Sequence, residues 1–328
     1  MNLQKTCQEY LKNLPQRTSD VIERRFGLNT GERETLEAIG KSYSITRERV
    51  RQIENEGFSK IRPMINANRE IVDNFKQVLI SFGNIKEEKE LLSVLGGKDC
   101  QNQAYFFLAN CDEFERIPED DNFNAFWTID KKSIDNAKKT IGLIINKFKK
   151  EKRVMSLDDL SDGMKKEVLE SYIGISKEIQ KNPEGKYGLK GWLEINPKGI
   201  KDKAYLVLKK NEKPLHFTEI ASLIGELPFS NAKKVHTATV HNELIKDQRF
   251  VLVGRGLYAL KEWGYNPGVV KDIILNSLKE SKRPLTKDEI LEKVLEQRFV
   301  KENTVLLNLQ NRSYFVRDEK GRYNVREA

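Results

Sequence analysis

The sequence predicts a mainly α chain with small β-hairpins: an N-terminal helix-turn-helix domain followed by tandem winged helix-turn-helix modules. Three observations carry this expectation. Two short capped helices separated by a tight polar turn stand between Thr35 and Pro63. A pattern of helices closing in a hairpin then recurs toward the C-terminus. With 328 residues, 38% hydrophobic and 33% charged, the chain is better suited to several small cores than to one large one.

In the first unit Leu36, Ile39 and Gly40 give the leading helix its apolar side, with Thr35 at the cap and Glu37 beside the positive helix end. "KSYSI" has the length and small polar character of a tight turn. Thr46 is placed to cap the next helix, and Val50, Ile53, Gly57 and Ile61 recur at three or four positions as its buried stripe. Arg47, Glu48, Arg51 and Gln52 then project from the first two turns, the part of a recognition helix that enters the major groove. Arg can donate two hydrogen bonds to guanine, Gln can pair with adenine, and Glu can accept from cytosine. The same residues also suit a solvated helix whose charges pair only with one another. The capped start and the tight turn favour contact with DNA.

The stretch "LPQRTSDVIERRFGLNTGERETLEAIGKSYSITRERVRQIENEGFSKIRP", Leu14 to Pro63, resembles region 4 of sigma-70-type bacterial sigma factors. The lead-in "LPQR", the run "VIERRFGL", the helix "TLEAIG" and "TRERVRQIE" carry the resemblance, while "SYSIT" replaces the more usual turn sequence. It implies a domain that binds the promoter's -35 element in double-stranded DNA and docks on the β flap of the RNA polymerase core. Arg47, Glu48, Arg51 and Gln52 would occupy its base-reading positions, with Thr46, Arg49 and Lys60 on the DNA backbone. The helical regions that precede region 4 in the family have no counterpart in the short stretch before Leu14, so a regulator or sigma-like factor is expected rather than a free-standing initiation factor.

Beyond Pro63 the chain repeats. "EKPLHFTEIASLI" from Glu212 aligns with "KRPLTKDEILEKV" from Lys282, and "KRVMSLDDLSDGM" from Lys152 fits the same frame. Ser156, His216 and Thr286 fall at one cap position, and Thr286 with Glu289 makes a capping box. Each copy closes in two strand-like runs around a turn, such as "FVLVGRGLYALKEW" and "YFVRDEKGRYNVRE". The expected domains are 1-64 for the helix-turn-helix, 65-132 for a weaker winged-helix copy, then 133-198, 199-266 and 267-328 for three clearer ones. The weaker copy carries Glu119, Asp120 and Asp121 on its hairpin, which repel phosphate and should face protein or nothing.

The copy from Ile200 to Trp263, "KDKAYLVLKKNEKPLHFTEIASLI…VHTATVHNELIKDQRFVLVGRGLYAL", resembles the HARE-HTH domain, a winged-helix module related to the N-terminal domain of the polymerase delta subunit. That resemblance implies association with nucleic acid or polymerase. Lys233, Lys234, Thr237 and Asn242 lie on or near its third helix, and Arg255 sits between Gly254 and Gly256 at the hairpin tip, where a basic turn can approach a phosphate backbone or simply be solvated. Lys186, Lys320 and Arg322 invite the same pair of readings.

No enzyme is expected: there is no P-loop, nucleophile elbow or dinucleotide fingerprint. No cofactor or metal is expected either. Cys7, Cys100 and Cys111 lack a CxxC pair, and His236 and His241 are spaced so that they point to different helix faces. Trp127, Trp192 and Trp263 close three proposed hairpins and read as packing residues. Lys plus Arg exceed Asp plus Glu by 58 to 49, a net charge of +9, and mean hydropathy is -0.62. These values favour anionic partners, and a cytoplasmic, nucleoid-associated location without a membrane span is expected. Besides a DNA-reading regulator, a polymerase-binding adaptor and a targeting subunit of a DNA-modifying or defence system fit the same features.

Overall fold

In the computed structural model, which describes residues 2–229 and 235–326, 57% of the described residues are helical and the strands form small antiparallel sheets. The chain divides into two compact units, residues 1–190 and 191–328.

The first unit begins with α1 (Leu3–Leu11), α2 (Gln16–Phe26), α3 (Leu36–Tyr43) and α4 (Arg47–Ala67). Thr35 and Thr46 cap α3 and α4 as expected, accepting from Ala38 N at 3.1 Å and Arg49 N at 3.2 Å. Val21, Ile39, Val50 and Ile53 form a small core under the turn. Gly57 lets α2 cross α4 closely, since a Cβ there would lie 2.5 Å from Ile22 Cδ1 and 2.8 Å from Thr18 Cγ2.

Two features depart from simple punctuation. Although Pro63 removes one backbone donor, α4 continues through the boundary expected at residue 64, because Ile61 and Ile65 on the same side are both buried. The core is then continuous with the next elements: α5 (Arg69–Ser81), β1 (Ile85–Glu87), α6 (Glu88–Gly96), α7 (Gln101–Asn110), β2 (Glu115–Ile117) and β3 (Phe126–Thr128). Phe26 of α2 packs edge-on against Phe58 of α4 and Phe106 of α7, with ring centroids 5.6 and 5.3 Å away. Asn102 donates to the Gly27 and Gly31 carbonyls at 3.0 and 2.8 Å, and buried Gln103 donates to the Leu28 carbonyl at 2.7 Å.

The unit closes with α8 (Lys131–Glu151), α9 (Leu157–Leu160), α10 (Lys166–Gly174), β4 (Ile179–Lys181) and β5 (Tyr187–Leu189). The acidic hairpin expected to face protein or nothing leaves Glu119, Asp120 and Asp121 exposed, with links to the following segment. Glu119 pairs with Lys177 at 2.5 Å, and Phe123 bridges to Ser176.

The second unit contains α11 (Gly199–Asn211), β6 (Leu215–His216), α12 (Phe217–Glu226), α13 (Thr237–Lys246), β7 (Phe250–Gly254) and β8 (Leu257–Leu260). It continues with α14 (Val270–Ser281), α15 (Lys287–Gln297), α16 (Glu302–Leu309), β9 (Phe315–Arg317) and β10 (Tyr323–Val325). The join at residues 264–268 is held by buried Arg298, which donates to the Asn266 and Gly268 carbonyls at 2.5 and 2.9 Å. Phe299 N donates to the Val253 carbonyl at 2.7 Å, extending the β7 edge.

One element order recurs four times: helix, short extended segment, two helices, hairpin. The extended residue pairs each time with the last hairpin strand, as Ile85 with Thr128, Met155 with Tyr187, Leu215 with Tyr258 and Leu285 with Tyr323. The cap residues Ser156, His216 and Thr286 all accept from the backbone of their helices, and the Thr286–Glu289 capping box is formed.

Candidate nucleic-acid interface

The turn between α3 and α4 is built by local chemistry. Ser44 takes a left-handed φ of 53°, and Ile45 N donates to the Gly40 carbonyl at 3.0 Å. A Cβ on Gly40 would fall 2.8 Å from the Ile45 carbonyl oxygen, so a side chain there would force the backbone apart.

A polar network braces this turn from behind. Arg24 donates to both carboxylate oxygens of Glu34 at 2.8 and 2.7 Å and to Ser42 Oγ at 2.8 Å. The Arg24 hydrogen bond holds the Glu34 carboxyl below its ordinary range. Tyr43 donates its hydroxyl to Asp20 at 2.7 Å, which pushes the phenol up. Arg25 lies 3.5 Å from half-buried Glu54, whose carboxyl is raised by burial against the opposing pull of Arg25 and Arg51. Sequence reasoning missed Arg24, Glu34, Asp20 and Tyr43, because their partners are fixed by how α2 meets the turn.

The outer face of α4 is exposed at Arg47, Glu48, Arg49, Arg51 and Gln52, and Thr46 and Lys60 flank it. The four expected base-reading residues thus share the start of one helix. They are partly paired with one another: Arg51 Nη2 and Nε lie 2.6 and 2.9 Å from the Glu48 carboxylate, and Arg49 Nη1 donates to Gln52 Oε1 at 2.9 Å. Arg51 keeps the Glu48 carboxyl below its ordinary range. Among the described residues neither Arg47 nor Lys60 has an ion-pair partner.

Residues 10–63 match the family model "Sigma-70, region 4". This segment is a sigma-70 region 4 domain. The chain is 40% identical over 65 residues to the RNA polymerase sigma factor RpoS of Coxiella burnetii, a match covering 20% of this chain and 18% of that protein. It is 42% identical over 60 residues to the RNA polymerase sigma factor SigA of Lactococcus lactis subsp. cremoris and to that of a Bacillus species, each match covering 18% of this chain and 16% of the relative. The chain therefore spans less than a fifth of the length of these relatives.

The face of the region 4 domain opposite its exposed polar side is already filled, since Phe26, Phe58, Ile61 and Ile65 are buried in the core shared with α7.

In the second unit Arg255 is exposed at the β7–β8 turn, with Thr237 and Asn242 exposed on α13, whereas Lys233 and Lys234 lie outside the described residues. Packing accounts for both glycines beside Arg255. A Cβ on Gly254 would fall 2.8 Å from the Phe299 carbonyl oxygen, and one on Gly256 2.4 Å from His216 Nε2. Arg322 is paired with Asp318 at 2.9 Å, while Lys186 and Lys320 are exposed. His216 caps α12, and His241 packs between Phe217 and Tyr258. Among the described residues no His, Cys, Asp and Glu group could hold a metal ion, and no helix is long and apolar enough to cross a membrane.

Proposed function

We propose that the chain is a sequence-specific DNA-binding transcription regulator, a sigma-like factor that reads a promoter -35-like element and joins the bacterial RNA polymerase core at its β flap. The observation that carries this reading is the start of α4, where Arg47, Glu48, Arg51 and Gln52 stand exposed on a capped helix behind a braced turn. Thr46, Arg49 and Lys60 border that face and suit the phosphate backbone. It works by binding, without catalysis. Because the Phe26–Phe58 face is covered by α7, polymerase contact draws on the surfaces that remain exposed.

The four repeats are read as winged helices over 65-132, 133-198, 199-266 and 267-328, the third of HARE-HTH type, on the strength of their common element order. They extend the contact with DNA or polymerase, and Arg255 with Lys233 and Lys234 are the proposed backbone contacts of the third.

Arg51→Ala or Gln52→Ala should cost about 1 to 3 kcal/mol on the preferred site while barely changing nonspecific binding. Equal loss on every sequence would remove base reading from these residues. The pairs Glu48–Arg51 and Arg49–Gln52 favour a second reading, a polymerase adaptor that does not read bases. Copurification with core polymerase after nuclease treatment, without sequence preference in DNA binding, is its expected signature.

A further inference from the structure

The C-terminal repeat holds a basic concavity of about 860 Å³ between the end of α16 and the β9–β10 hairpin. Its floor is apolar, made by Leu309 and Phe315, and its rim carries Arg312, Arg317 and Arg326 from three separate segments. No carboxylate is among its described lining residues. The three guanidinium groups have no acidic partner among the described residues. Arg317 donates to the Gly321 carbonyl at 3.3 Å and Arg326 to the Arg312 carbonyl at 2.9 Å. All three arginines are exposed.

Arg322 is closed onto Asp318 and Arg283 onto Glu289, both at 2.9 Å or less. The exposed residues of α16 include Glu302 and a Leu307 that is 67% exposed, poor contacts for a phosphate backbone. Three unneutralised arginines of the hairpin region are gathered around the hollow, while Lys320 stands exposed at the hairpin turn outside it. Within it Arg317 pairs across the hairpin with Tyr323, its guanidinium 5.7 Å from the ring centroid. Positive rim, aromatic wall and apolar floor are the parts a nucleotide strand needs: guanidinium for phosphate, and ring and floor for an unstacked base. An acidic peptide would use the rim but not the floor and ring together.

We infer that this concavity seats a single-stranded stretch of nucleic acid, with Arg312, Arg317 and Arg326 on successive phosphates and a base over Tyr323. The seat is independent of base reading by α4. Its test uses the full chain carrying Arg47→Gln and Arg51→Gln, so that a failure of α4 to read DNA cannot be mistaken for a failure of the seat. Binding of a fluorescent mixed-sequence single-stranded DNA is measured across a salt series, with the matching duplex alongside.

Adding Arg312→Gln, Arg317→Gln and Arg326→Gln should weaken single-strand binding at least about tenfold at low salt and lower the slope of log K against log salt by about 2, three lost phosphate contacts at about 0.7 each. The matching Lys triple should retain the slope. An unchanged affinity and slope in the folded Gln triple, or a loss confined to the duplex, would overturn the seat. Photocrosslinking of the unsubstituted chain to a bromouracil-containing strand gives a readout that no variant can confuse. The expected adduct is on the peptide bearing Tyr323, and adducts confined to other segments would also overturn it.

Discussion

Glu48 and Arg51 close a two-point ion pair on the outer face of α4, Arg51 Nη2 and Nε lying 2.6 and 2.9 Å from the two carboxylate oxygens. If α4 reads bases as proposed, guanine would have to compete with Glu48 for the guanidinium. On the proposed reading the pair would suppress indiscriminate binding, because Arg51 would be released only where a base edge or phosphate offers equivalent acceptors.

Glu48→Gln should free Arg51 and loosen discrimination. In titrations of nonspecific duplex against salt, the slope is expected to steepen by up to about 1, one additional cation reaching phosphate. An unaltered slope would mean that the pair does not restrain Arg51.

Gly40→Ala sets a side chain against the Ile45 carbonyl oxygen, backbone that cannot rotate away. The expected cost is about 1 to 3 kcal/mol, typical of overpacking, with DNA binding lost alongside because α4 is re-aimed. Urea unfolding of the variant, paired with its duplex affinity, measures both effects.

Phe106 lies outside the region 4 domain, yet its ring meets Phe26 of α2. Phe106→Ala should destabilise the first unit by about 3 to 5 kcal/mol. Hydrogen exchange should quicken in α2 and α4 as well as in α7. Faster exchange confined to α7 would show that the region 4 domain is stable without its neighbours.

The Arg283 and Thr286 hydrogen bonds hold the Glu289 carboxyl down to about 2, against about 4.3 for an unperturbed glutamate. The depressed value means that the unfolded chain binds the proton more readily. The stabilisation is therefore complete above about pH 4.3 and disappears as pH falls toward about 2. Protection of the α15 amides should decline over that window, and Glu289→Gln should remove the decline contributed by this group.

These expectations differ in how far the sequence could supply them. The Thr35, Thr46 and Thr286 caps and the Val50, Ile53, Gly57 and Ile61 stripe were legible because each depends on spacing of a few residues. The repeated element order was legible from paired "KPL" and "RPL" segments and Gly-aromatic hairpins. Contacts such as Asn102 with Gly27 and Gly31, or Phe106 with Phe26, join residues far apart in the chain and leave no local signal. The boundary expected at residue 64 falls inside α4, because burial of Ile61 and Ile65 carries the helix past Pro63. The candidate base-reading residues were legible in position, while their pairing was not, since flexible side chains choose partners only once the helix face is built. The glycines beside Arg255 suggested an approach to phosphate, and the fold uses them against Phe299 and His216.

If α4 reads a DNA sequence, enrichment of duplexes from a random pool at near-physiological salt will reveal it, because nonspecific phosphate binding is weak there. The prediction is recovery of a -35-like motif by the unsubstituted chain and its disappearance with Arg51→Ala. Recovery of no motif, or of the same motif with and without Arg51, would contradict it.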